Sequence, residues 1–551
     1  NTRVGSSSVE TEAPRVEGAE RVQENEAALF AGWEKALSLS MPVESDYCIS
    51  KSEIEGEIPR ELKGTLFKVG PALFERGGVK VKHPFDGDGA VHSLKIENGE
   101  VRYRSKFVRT EGFLREEESG KFMSRGAYAT PKPAPKIFGI SLPEFVSNAF
   151  DFNFKNTSNI TTIPWGGKLL VGWNGLPYAL DLETLETEGV DNLSDSFQPG
   201  DLVQAHFCVD NEKDRIVMFA VDTSNTSEYL VKFFEFDRNF SLVRKRSEKL
   251  PIQGGVPLLH DFALTENYIL MFQSPLQIKL MQFVFGFKAL NECIEFDAEK
   301  QSCPLLVIPR NTDLPMRVLD APNNWTWHMI SADEKDKSGS GKEVVNIFAF
   351  SSPKYHFKYD FTGKSGEDYV FPRLTKYTVN LGDGASVEQK KLCTRNMEMP
   401  DCARERIDVN YAYALTTGKD EGFAPLQNLC KLDLKVLSLA IFFIRRFSVI
   451  NHHRLFFQAD GESDNPILDI WKTGTDYEFL SEPTFVSRNS GVEEDEDDGW
   501  VLTLRHDTLN ERASLLIFDA KDISKGPIAS VPIKTWVPWI FHGAFHGASE
   551  S

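Results

Sequence analysis

From about Pro59 to Ile540 the chain is written in short apolar stretches, each broken by turn residues within a few positions. Gly64 to Val69, Lys168 to Trp173, Arg215 to Val221, Tyr268 to Phe272, Glu343 to Phe350 and Trp500 to Leu504 are such stretches. Runs of this length cannot supply helices of three turns or more, whereas they match strands that end at Gly, Pro, Asn or Asp. The pattern predicts a mainly β chain. Asn98-Gly99 before Val101 to Phe107, and Gly382-Asp383-Gly384 after Tyr377 to Leu381, add hairpin turns, because these residues adopt positive φ at low cost.

The first 45 residues differ. They are acidic and carry no strand pattern, but Val22, Leu29, Phe30, Trp33 and Leu37 recur at helical spacing. A loose acidic tail followed by one amphipathic helix is the reading for 1–45, and one large β domain for 46–551.

Charge and composition then exclude whole classes. A net charge of −19 opposes nucleic acid or an anionic membrane surface as the main partner, since both reward clustered Lys and Arg. Seven cysteines, an odd number without paired spacing, do not make a disulfide framework and fit a reducing compartment. No run of 18 apolar residues is present to span a bilayer. Asn1 in place of Met reads as a mature or truncated product. The 41 phenylalanines exceed what a core of this size requires, and some of them are candidates to line a site for a long apolar ligand.

Four histidines sit inside short apolar runs: His206 in Gln204-Ala205-His206-Phe207, His260 in Leu258-Leu259-His260-Asp261-Phe262, His328 in Trp325-Thr326-Trp327-His328, and His542 in Trp539-Ile540-Phe541-His542-Gly543. A single histidine in such a setting is most often a hydrogen-bonded core residue. Four of them on strands make a candidate all-imidazole site for a borderline transition metal. None falls in an H-E-x-x-H or C-x-x-C frame. The intervals are 54 and 68 residues, then close to three times a unit of about 70, as radial repetition in a β-propeller would give if each histidine came from the inner strand of a different blade.

Several segments in order carry a resemblance. They are Phe85-Asp86-Gly87-Asp88-Gly89-Ala90-Val91-His92, Asn156-Thr157-Ser158, Leu176-Pro177-Tyr178-Ala179-Leu180-Asp181, and His260-Asp261-Phe262-Ala263-Leu264-Thr265-Glu266-Asn267-Tyr268. Ser481-Glu482-Pro483, Asp498-Gly499-Trp500, Lys525-Gly526-Pro527-Ile528 and Phe541-His542-Gly543 complete the set. Together, from about Tyr47 to His546, the chain resembles the carotenoid oxygenase, or carotenoid cleavage dioxygenase, family.

The resemblance implies a seven-bladed β-propeller with a helical dome over its iron-bearing face, and ferrous iron on the axis held by His206, His260, His328 and His542. It implies cleavage of a carotenoid or apocarotenoid double bond by dioxygen into two carbonyl products. It also places two glutamates behind ligating histidines, Glu398 in Met397-Glu398-Met399-Pro400 and Glu482 in Ser481-Glu482-Pro483. A third glutamate belongs just before Leu176, where this chain has Trp173-Asn174. Asn174 can still accept a hydrogen bond through its amide oxygen, but it is neutral and would leave its imidazole a weaker donor. That departure leaves room for two alternatives, a polyene isomerase on the same iron scaffold or a carotenoid-binding protein without turnover. The family's setting makes a plastid the expected location.

Three other features carry less. Asp86-Gly87-Asp88-Gly89 lacks the remaining ligands of a calcium loop and reads as a tight turn flanked by structural His83 and His92. Glu493 to Asp498 reads as a solvated acidic loop. Residues 435–458 interrupt what would otherwise be a hairpin between Lys431-Leu432-Asp433-Leu434 and Pro466 to Trp471. Two readings of this insert stand side by side: a segment lying in a membrane interface with Arg445 and Arg446 among head groups, and translated intron. Ile137 to Phe152 offers a second apolar patch for peripheral membrane contact.

Overall fold

A computed structural model describes residues 17–198, 200–225, 228–252, 257–334, 343–355, 372–403, 409–418, 425–435, 466–488 and 495–548. Within them the strands make seven antiparallel sheets of four to six strands, the blades of a seven-bladed β-propeller, and three two-stranded hairpins outside the blades. The second to sixth blades span 161–190, 201–249, 263–322, 325–391 and 397–472 and use consecutive strands, except that in the fourth the hairpin of Leu276–Ile278 and Ile294–Phe296 is inserted between the second and third strands.

The first and last blades close the ring. Gly543–Gly547, from the C-terminal end, pairs with Gly64–Leu73 of the first blade, and Glu55–Gly56 joins the edge of the seventh. A ring closed by both ends of the chain leaves only short, protected strand edges.

Position in a blade sets the apolar pattern. In the third blade Arg215–Asp222 is buried along nearly its whole length, because neighbouring blades cover both of its faces. The outermost strand, Leu242–Lys249, alternates between exposed and half-buried residues. Apolar clusters fill the spaces between blades, such as the one joining Val217, Phe219 and Phe233 to Phe262, Leu264 and Ile308. The expected turns form: Asn98 and Gly99 have φ of 51° and 75° between paired Glu97 and Glu100, and Gly384 has φ of 76° in the loop joining Asn380 to Ser386.

Helix α1, Glu17–Ser38, realises the expected amphipathic helix. Its Leu29, Trp33, Ala36 and Leu37 are buried, and Trp33 packs against Phe479 and Trp539 with ring centroids 5.3 and 5.1 Å away. The Val22 side chain and residues 1–16 lie outside the described residues. Outside the blades the described helices of four or more residues are α2 (Glu111–Ser119), α3 (Phe145–Asn148) and α4 (Leu280–Val284), which do not by themselves delineate the expected helical dome.

Leu426–Asp433 pairs with Ile467–Lys472, and the Asp433 N–H donates to the Pro466 carbonyl at 2.8 Å, so the two flanks of the insert are hairpin partners. The interval between them, 436–465, lies outside the described residues.

The Asp86-Gly87-Asp88-Gly89 turn serves the fold. Asp86 accepts the backbone N–H groups of Tyr128, Ala129 and Thr130 at 3.0, 2.9 and 2.8 Å, and Asp88 pairs with buried Lys155 at 2.5 Å. His83 accepts from Phe85 N–H at 3.1 Å, and His92 bonds Tyr103 at 2.8 Å. Of the acidic loop, residues 493 and 494 lie outside the described residues; in the rest Asp497 pairs with Lys431 at 2.6 Å, exposed Asp495 with Lys521 at 2.9 Å, and Glu496 accepts from Asn410 and Tyr411.

Candidate metal centre

The four histidines come from four blades. His206 lies on the inner strand Asp201–Asp210 and His328 on the inner strand Trp325–Glu334, while His260 and His542 precede the inner strands Ala263–Leu264 and Gly543–Gly547. Irregular register lets the side chains turn inward: the pairing of Asp201–Asp210 slips between Val203 and Phe207, and that of Trp325–Glu334 slips on either side of Met329.

Their ring nitrogens converge. His206 Nε2 is 3.0 Å from His260 Nε2, which is 3.4 Å from His328 Nε2. One ring nitrogen each of His206, His328 and His542 lies within 4.8 Å of the others, and His260 joins this set through His206 and His328. Metal–nitrogen bonds of about 2.1 Å put adjacent ligand atoms about 3 Å apart, so the spacing fits one shared cation. Burial, with repulsion from His328 and His542, holds the His260 pKa well below that of a free imidazole and keeps it neutral, the form that binds metal.

The outward nitrogens are treated unequally. Glu398 Oε2 lies 2.5 Å from His328 Nδ1, and Glu482 Oε1 lies 2.7 Å from His542 Nδ1. An acceptor at Nδ1 fixes the tautomer with the proton outward and the lone pair of Nε2 inward. Burial opposes charge on His328, but the neighbouring Glu398 carboxylate outweighs it and raises the pKa. Glu398 is itself aimed by Met399, whose φ of 57° marks a bulge and whose N–H donates to Oε2 at 2.7 Å.

Among the described residues no carboxylate serves His260. Among the described residues its Nδ1 makes no hydrogen bond, and neither does Asn174. Trp173 is buried in the core with its Nε1–H unpaired. Instead the Trp327 ring meets His260 edge-on, with centroids 4.4 Å apart, and continues through Trp325 to Tyr355. Phe85, packed on Phe541 and Tyr128, belongs to the same apolar cluster. A cavity of about 130 Å³ reaches the other three histidines and is lined in part by Thr161, Asp261, Ser331, Asp401 and Glu482. Phe207, Val209, Phe262, Leu264, Met329 and Ile330 also line it, so the metal-facing nitrogens stand between a cavity of mixed polarity and the aromatic cluster at Trp327.

Sequence reasoning did not single out Lys68, whose ammonium lies 3.3 Å from Glu482 Oε2 and 2.8 Å from the Glu482 carbonyl. Its only local signal was a lysine inside the apolar stretch Gly64 to Val69.

A family model described as retinal pigment epithelial membrane protein matches residues 41–547. Apocarotenoid-15,15'-oxygenase of Synechocystis is 29% identical over 517 residues, covering 92% of this chain and 94% of that protein. A carotenoid cleavage dioxygenase 7 of rice, described as chloroplastic, is 23% identical and covers 89% of this chain and 87% of its own length. The crystal structure of the cobalt-substituted Synechocystis enzyme superposes with a TM-score of 0.77 at 28% identity, over 94% of this chain and 99% of that one.

Proposed function

The chain belongs to the retinal pigment epithelial membrane protein family, the carotenoid oxygenases, and on that premise we propose that it is a non-haem iron(II) dioxygenase cleaving a double bond of a carotenoid or apocarotenoid into two carbonyl products. The observation that carries this reading is the convergence of four histidine side chains from four blades, two of them backed by glutamates.

His206, His260, His328 and His542 would hold the iron as neutral imidazoles. Ferrous iron so held would supply redox chemistry with dioxygen. Glu398 and Glu482 keep the Nδ1 protons of His328 and His542 on the outer side. Trp327 and the aromatic cluster behind it put an apolar face against His260 that would help exclude water from the site. In the overall reaction one C=C bond and one O₂ become two C=O groups, so no further reductant is consumed.

A second reading has an observation of its own. The Nδ1 of His260, without a hydrogen bond among the described residues, together with Asn174 in place of the third glutamate, favours a weaker metal donor. A polyene isomerase or a binding protein without turnover would accept that loss more readily than an oxygenase.

The substrate's origin in lipid fits an exposed apolar surface in which Phe145, Phe150 and Phe152 meet Phe287, Phe285 and buried Phe283, with Ile137, Phe138, Ile140, Leu280 and Met281 also exposed on these segments. Peripheral membrane contact through this surface is part of the proposal. No described helix is long and apolar enough to cross a membrane. All seven cysteines are free thiols, which agrees with a reducing compartment, and the chloroplastic rice relative supports a plastid.

Iron content and product masses test the proposal together. Near-stoichiometric iron with two shorter carbonyl fragments from a carotenoid panel is the expected result. Unchanged mass with altered double-bond geometry would mean isomerisation, and intact carotenoid would mean binding alone.

A further inference from the structure

Lys68 is fully buried, on the first-blade strand Gly64–Leu73. Its Nζ donates to the Glu482 carbonyl at 2.8 Å and reaches Glu482 Oε2 at 3.3 Å. The same carboxylate accepts the Gly543 N–H on Oε2 at 3.1 Å and faces His542 Nδ1 with Oε1 at 2.7 Å. Lys68 stands directly opposite Gly543 in the closing strand pair, and the Val69 N–H donates to the His542 carbonyl at 3.0 Å. A Cβ on residue 543 would lie 2.4 Å from Lys68 Cδ, so the lysine stem occupies the space that glycine leaves.

A buried ammonium is costly unless paired, and such pairs are weak devices for stability but effective ones for fixing geometry. The two glutamates differ in what aims them. Glu398 takes the N–H of the next residue, Met399, across a bulge, and its Oε1 has no hydrogen-bond partner. Glu482 lies between the short strands Glu478–Leu480 and Thr484–Ser487, and its carboxylate is gripped from the closing strand and from Lys68.

We propose that Lys68 is a positioning residue of the metal centre: by gripping Glu482 at its carbonyl and its carboxylate, it holds the rotamer that keeps the His542 Nδ1 proton outward and its Nε2 aimed at the metal. The inference rests on the metal-site reading above. It concerns a contact between residues 414 positions apart in sequence.

Cobalt(II) is the probe, with affinity measured by chelator competition and the d–d absorption spectrum recorded beside it. Wild type must bind first; if it does not, the metal-site reading itself fails. With wild type binding, Lys68→Met is expected to weaken affinity by about 10- to 100-fold and to change the spectrum. Lys68→Arg is expected to restore most of both. The decisive comparison is a double-mutant cycle, because a lysine that acts on His542 through the Glu482 carboxylate loses that charged group in Glu482→Gln, while its bond to the backbone carbonyl remains. In that background Lys68→Met should change affinity by less than about twofold. The double variant also removes both buried charges, which protects folding if Lys68→Met alone does not fold. Wild-type affinity and spectrum in Lys68→Met, with only a lower melting temperature, would overturn the proposal. So would an undiminished effect in the Glu482→Gln background.

Discussion

Glu398 Oε2 stands 2.5 Å from His328 Nδ1, joining the inner strands of the fifth and sixth blades beside the converging histidines. The carboxyl group is buried and raises the His328 pKa, so the contact acts on orientation and donor strength together. Glu398→Gln should leave the fold intact and weaken cobalt(II) or iron(II) binding by about 10- to 100-fold. Chelator competition on the purified variant measures this, and an unchanged affinity would remove the glutamate from the centre.

Asn174 gives the opposite test. If the bare Nδ1 of His260 weakens the site, Asn174→Glu should tighten metal binding by about tenfold or more. The same titration reads the change, and no gain would mean that residue 174 does not reach His260.

The N-terminal helix is expected to matter for the whole propeller. Trp33 is 1% exposed and packs against rings from the seventh blade and the closing segment. Trp33→Ala should cost about 3–5 kcal/mol, seen as a lower midpoint in urea. A midpoint within error of wild type would separate α1 energetically from the blades.

Acid stability follows from two histidines away from the metal. Burial, with repulsion from His506, lowers the His92 pKa to about 3, and burial lowers that of His506 to about 4. Unfolded histidine titrates near 6.5, so between there and the folded values the unfolded chain binds more protons. The stability these groups contribute is therefore complete above about pH 6.5 and is lost as pH falls toward 4 and then 3, at up to about 1.4 kcal/mol per pH unit for each. His506→Asn offers a donor for the Val537 carbonyl, which His506 Nδ1 meets at 3.0 Å, and removes one proton site. Its urea midpoint should fall less steeply with acid than that of wild type.

Membrane contact is tested at Phe138 and Phe287, which are 100% and 63% exposed on neighbouring segments of the apolar surface. Replacing both by Ser should lower partition onto neutral phospholipid vesicles by at least about tenfold for each ring removed, since burying one Phe is worth about 1.5–3 kcal/mol. Sedimentation with vesicles checks it, and equal partition would place the contact elsewhere.

The alternation of short apolar runs with turns was sufficient to indicate a β chain, because strand length and turn chemistry are local properties. The amphipathic spacing of α1 was legible for the same reason, as were the four histidines, each marked by its own apolar run. The ring of seven blades, and Glu398 and Glu482 beside those histidines, were reached through ordered motifs shared with a family rather than through periodicity. What no local signal carried is the junction of Lys68, Glu482, His542 and Gly543. It exists because the C-terminal strand returns to the first blade, and because Lys68 meets the buried carboxylate of a residue 414 positions away. The tertiary structure also decided that Asn174 stays away from hydrogen bonding while Trp327 stands against His260. Sequence fixes which groups exist, whereas blade closure and strand bulges set the direction in which each side chain points.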